Sequence, residues 1–107
     1  MEEHMTKERI ETARSYLLRR IRAADSSIRL FLDHHRAELP SDYFRTTFRT
    51  VEPQSDQMIE RLVPRCWQCE ESYAEFVDFR FPGDVSQYVL SVELDKYGQP
   101  ISVQMES

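Results

Sequence analysis

Cys66-Trp67-Gln68-Cys69 is the one stretch that matches a named chemical pattern. In a dithiol redox enzyme the first cysteine opens a helix just after a strand, where the helix dipole lowers its pKa. Here a helical pattern precedes the motif and an extended pattern follows it, which is the wrong order. A zinc site needs four ligands, and two thiols could be supplemented only from His4, His34 and His35. Neighbouring side chains diverge by about 100° on a helix, so His34 and His35 cannot both join easily and an acidic residue would have to complete the shell. Two semi-buried free thiols are therefore expected; an occasional disulfide, a metal or redox work are the alternatives.

The His34-His35 pair titrates near neutrality and could supply a general base. No nucleophile stands at a matching spacing, and histidines at a helix C-terminus more often meet its last carbonyls. Gly83 and Gly98 are the only glycines in the chain. A phosphate-cradling loop, a dinucleotide fingerprint and a glycine-flanked nucleophile turn are thereby excluded, since each needs clustered glycine for close backbone approach. Glu70-Glu71 and the Glu75/Asp78 couple offer carboxylates, but strand neighbours point to opposite faces and cannot work as a pair. The expectation is a protein that is not an enzyme and uses no cofactor or metal.

The elements that must position these groups follow from periodicity. Ile10, Ala13, Leu17, Ile21, Ala24, Ile28 and Leu32 recur at helical steps behind Thr6, a predicted N-cap. Unbroken to Ala37, the helix would be roughly 48 Å long, against a radius of gyration near 13 Å for a compact chain of this size. The pattern therefore predicts a break at Asp25-Ser26-Ser27, with helices over about 6–24 and 26–37. Leu39-Pro40 ends the second and Ser41 can cap a further turn. Tyr43 to Val51 reads as a short helix, with strand as the alternative, and Glu52-Pro53-Gln54-Ser55 opens another, with Met58, Ile59, Leu62 and Val63 as its apolar side and Pro64 as its stop.

Beyond Cys69 the period falls to two. Tyr73, Glu75, Val77, Phe79 and Phe81 alternate with Ala74, Phe76, Asp78 and Arg80; Tyr88, Leu90, Val92 and Leu94 alternate with Val89, Ser91, Glu93 and Asp95; Ile101, Val103 and Met105 alternate with Ser102, Gln104 and Glu106. Pro82-Gly83-Asp84 and Asp95-Lys96-Tyr97-Gly98-Gln99 supply turns. The predicted fold is α+β, a single domain over 1–107. A kinked helix or helical hairpin (6–37) and short helices (41–64) cover the apolar face of a three-stranded antiparallel meander (70–106), leaving Asp78, Arg80, Ser91, Glu93, Ser102 and Gln104 on a wet face.

With 107 residues, 31 % charged and 40 % hydrophobic, the chain has enough apolar residues for one core. Its net charge is −5, and residues 1–50 carry +2 while residues 51–107 carry −7. That excess disfavours nucleic acid and anionic membranes and favours a basic partner. Arg9, Arg14, Arg19, Arg20, Arg22, Arg29 and Arg36 wrap around the first helices among Glu8, Glu11, Asp25 and Asp33, as in a salt-bridged solvent face. No apolar run is long enough to span a bilayer, and Met1-Glu2-Glu3-His4 has neither the basic region nor the apolar core of an export signal, so a cytoplasmic location is expected.

Five of the aromatics, Trp67, Tyr73, Phe76, Phe79 and Phe81, fall close together. Tyr73, Phe79 and Phe81 suit the core, whereas Phe76 shares a face with Asp78, and Trp67 and Tyr97 fall in connections. Aromatic anchors beside acidic groups are what a surface for a basic protein uses. The candidate partner-binding residues are Glu70, Glu71, Glu75, Phe76, Asp78, Glu93, Asp95 and Tyr97. In overall layout, helices followed by a meander that closes on the Tyr88–Glu106 hairpin, the chain resembles the small bacterial immunity and inhibitor proteins that neutralise toxins. The resemblance implies a basic, toxin-like protein as partner. A homodimer paired through the first helix, where Tyr16 and Leu18 widen the apolar stripe, is the second expectation, and a thiol- or metal-dependent enzyme at Cys66 and Cys69 the third.

Overall fold

The structure, a computed structural model, describes the backbone of residues 2–107 and the side chains of residues 6–107. Helix α1 spans Glu2–Arg22, so Thr6 lies inside it and is not its cap. Its stripe is spent on the molecule's own core: Ala13 and Leu17 are fully buried, and Ile10, Tyr16, Leu18 and Ile21 pack around them. Ala24, at φ 60°, reverses the chain at the expected break. Asp25 then caps α2 (Ser26–Glu38), its Oδ1 accepting the N–H groups of Ser27 at 3.0 Å and Ile28 at 3.2 Å.

The two short helices are α3 (Ser41–Phe48) and α4 (Ser55–Arg61). Ser41 is helical, and Pro40 precedes it without a side-chain cap. A reciprocal Gln54/Gln57 box starts α4. That helix stops at Arg61, ahead of Pro64, and the chain turns extended at Leu62. Arg14 satisfies the carbonyls left open there, donating to Ile59 at 2.7 Å and Leu62 at 2.9 Å while its guanidinium lies 5.1 Å from the Phe79 ring centroid.

Four strands follow where three were expected: β1 (Val63–Gln68), β2 (Glu75–Arg80), β3 (Val89–Leu94) and β4 (Pro100–Glu106), joined antiparallel in the order β1-β2-β3-β4. The sheet thus starts at Val63 and not near residue 70, and Val63 sits on an exposed strand instead of a helix face. β1 escapes the sequence pattern because it is an edge strand with almost every residue exposed, so no apolar alternation marks it. Its bonding direction explains Pro64. The Cys69 N–H bonds the Ala74 carbonyl, so by alternation the N–H groups of Trp67, Arg65 and Val63 point toward β2 and the nitrogen of Pro64 points out of the sheet, where no donor is needed.

Val77, Phe79, Leu90, Val92, Leu94 and Val103 form the sheet's contribution to one core shared with Leu17, Ile28, Phe31, Leu32, Met58, Ile59 and Leu62. Phe81 is buried as expected, whereas Tyr73 is 74 % exposed and contributes nothing to the core. Ile101 is also exposed, because the register shifts beside Leu94, which faces Pro100. The other face keeps Asp78, Arg80, Ser91, Glu93, Ser102 and Gln104, and β1 adds Arg65 and Trp67 to it.

Candidate protein interface at the turn end of the sheet

Gln68 pairs with Glu75 and Glu75 pairs with Leu94, so the β1–β2 turn (69–74) and the β3–β4 turn (95–99) leave the sheet at the same end. The second turn is built by Asp95. Its carboxylate accepts the N–H groups of Tyr97 at 2.8 Å and Gln99 at 2.9 Å, and Gly98, at φ 80°, supplies the left-handed residue that closes it. Tyr97 is left 76 % exposed, with the Lys96 ammonium 5.2 Å from its ring centroid. In the first turn Tyr73 closes back onto the Cys69 carbonyl at 2.8 Å with φ 60°, a left-handed conformation that is strained for a bulky side chain.

Trp67 belongs to β1 and not to a connection; it lies opposite Phe76, and the two rings stack 4.4 Å apart at 14°. Glu93 stands opposite Phe76 on the other side. Glu70, Glu71, Phe76, Glu93, Asp95 and Tyr97 therefore gather at one end, joined by Trp67 and Tyr73, which the candidate set omitted. Tyr73 could have been found from its place beside Glu70-Glu71 in a polar turn, had the turn been bounded by a recognised β1. Two candidates differ from the rest. Glu75 faces the helices and is ion-paired with Arg9 at 3.1 Å. Asp78 lies mid-sheet between Arg65 and Ser91, its Oδ1 sealed without a hydrogen-bond partner.

The electrostatics separate the two layers. From Val63 onward the chain carries eight carboxylates against Arg65, Arg80 and Lys96, so the sheet portion holds the entire net charge of −5 and the helical portion is neutral. Among the described residues Glu70, Glu71, Glu93 and Asp95 form no ion pair, whereas Asp25, Asp33, Asp42 and Asp56 each hold an arginine.

The cysteines are free, Cys66 exposed and Cys69 half-exposed. Three residues of extended chain span roughly 10 Å, beyond the reach of a disulfide, and place the two thiols on opposite faces. Cys66 lines a cavity of about 210 Å³ with Arg9, Trp67 and Glu75. Partial burial and Glu75 push its thiol up from the ordinary value against the pull of Arg9. Cys69 is held lower, because the Ser72 hydroxyl and the Ser72 and Glu71 N–H groups donate to it. No group of three or more metal-ligating side chains occurs among the described residues, and the side chain of His4 lies outside them.

His35 is buried one turn before the end of α2, and does not meet the last carbonyls. Its Nδ1 lies 2.6 Å from the Phe31 carbonyl, to which it must donate, so the neutral ring offers Nε2 to the Ser86 hydroxyl at 2.8 Å. Ser86 in turn accepts the Tyr88 N–H at 3.1 Å. Spacing alone could not reveal this serine, 51 residues away. Phe31, Phe81 and His34 pack around the ring and leave it 1 % exposed, so the couple clamps the β2–β3 connection onto α2. No helix among the described residues is long and apolar enough to cross a membrane. No protein-family model, no curated protein and no solved structure matches the chain.

Proposed function

We propose that this protein is a non-enzymatic binding module that occludes a basic protein partner, in the manner of immunity and inhibitor proteins, with the turn end of its sheet. The reading rests on one observation. Trp67, Tyr73 and Tyr97, all substantially exposed, share that end with Glu70, Glu71, Glu93 and Asp95, whose carboxylates lack cationic partners among the described residues. Aromatic rings anchor and desolvate an interface, while unneutralised carboxylates select and steer a cationic partner.

The test uses a partner retained on the immobilised protein from native lysate. Its affinity should fall with added salt, drop by at least about tenfold in Glu70→Lys/Glu71→Lys/Glu93→Lys, and drop by a comparable factor in Trp67→Ala. A partner whose binding ignored both ionic strength and the charge reversal would sink the proposal.

A further inference from the structure

The helical layer holds a second feature, independent of the turn end. Arg22, at the end of α1, and Arg29 and Arg36, on α2, do not disperse around their helices but line one cavity of about 360 Å³, with Ser55 of α4 opposite and Ile21 and Leu32 as its apolar floor. Arg29 and Arg36 are seven residues apart, two helical turns, and so share a face. Two of the three guanidinium groups are held in place: Arg36 by Asp33 at 2.7 Å and the Ser55 hydroxyl at 3.1 Å, and Arg22 by Asp56 at 3.2 Å. Arg29 makes no ion pair or hydrogen bond among the described residues beyond its helix. Three cations against two carboxylates leave a surplus of one positive charge in a chain of net charge −5.

Arg36 is also a wall of a second cavity of about 360 Å³, lined by Leu39, Phe44, Val51 and Pro53 together with Ser41 and the acidic Glu52, so the positive surplus belongs to the first cavity, at Arg29, and the second receives no anionic group. A cluster of guanidinium groups that adjoins, through Arg36, a recess with four apolar walls suits a molecule of two parts. Guanidinium forks bind planar and tetrahedral oxyanions through paired N–H donors, and an apolar recess removes a hydrocarbon body from water. Asp33 and Asp56 flank the arginines and repel a continuous phosphate chain, which favours one isolated head group over a nucleic-acid backbone.

We propose that this double recess binds a small amphipathic oxyanion, its phosphate or carboxylate head received by Arg29 and Arg36 and its aryl or branched-alkyl body laid against Val51 and Phe44. The probes are phenyl phosphate, benzoate and inorganic phosphate, titrated into the isotope-labelled full chain and followed by amide shifts at Ala24, Leu32 and Val51. Saturable shifts are expected, with phenyl phosphate binding about tenfold more tightly than inorganic phosphate because of its ring. Arg29→Glu should abolish binding of all three. Val51→Ser should bring phenyl phosphate down to the level of inorganic phosphate without changing the latter. Both positions are exposed, and a melting curve of each variant verifies the fold. The tighter of phenyl phosphate and benzoate identifies the head group. Absence of saturable shifts, equal affinity for phenyl and inorganic phosphate, or Arg29-dependent binding of a short single-stranded oligonucleotide in place of phenyl phosphate would overturn the proposal.

Discussion

Tyr73 and His35 show what single residues contribute beyond their type. Tyr73 holds a left-handed backbone that glycine adopts freely, at a cost of about 1 kcal/mol. Tyr73→Gly should therefore stabilise the chain by about that amount in urea while weakening partner binding; a variant that lost stability would show that the ring serves the fold. His35 is held below its ordinary pKa mainly by burial, with His34 adding to the effect and the Phe31 carbonyl opposing it. The unfolded chain therefore takes up the proton first, near pH 6.5. The contribution of His35 is complete above that value and declines as the pH falls through it toward the lower folded-state pKa. The urea midpoint should drop between pH 7.5 and 5 by more in the wild type than in His35→Gln, whose amide does not titrate; parallel profiles would refute this. The sequence placed His35 on a helix, but not its serine, because that hydrogen bond joins segments with no local relation.

Among the elements, β1 carries the clearest lesson. A strand with one buried face announces itself by alternation, as β2 and β3 do through Val77, Phe79, Leu90 and Val92. β1 packs almost nothing, and only its pairing with β2 defines it. The same exposure makes it an open edge, which Pro64 blunts by removing an outward donor. Pro64→Val should restore that donor and promote self-association, read as a rise in sedimentation coefficient with concentration; a strictly monomeric variant would show that the edge is protected by other means. The helices were easier to read. The break at Asp25 and the helix start at Glu52–Ser55 lie within a few residues of the helices they begin, so chain order alone reveals them, whereas the Gln54/Gln57 box that starts α4 emerged only in the structure.

On the scale of the whole molecule, helices and sheet share one core, with Phe79 packed beneath Arg14 and Phe81 stacked 5.4 Å from Phe31. Unfolding should therefore be one transition: the urea curves from far-UV circular dichroism, dominated by the helices, and from Trp67 fluorescence, which reports β1, are expected to coincide. Separate midpoints would mean that the layers unfold independently. The sequence by itself determined the order of helices before strands, the break at Asp25, the closing hairpin at Asp95–Gly98 and the concentration of negative charge toward the C-terminus, because periodicity, capping and charge are local properties of the chain. Only the tertiary structure decided that β1 exists, that two distant turns bring Trp67, Tyr73 and Tyr97 beside Glu70, Glu71 and Glu93, and that Arg22, Arg29 and Arg36 converge on one cavity. Those juxtapositions depend on which strand pairs with which and on the angle at which helices cross, and neither is encoded in the spacing of residues along a single segment.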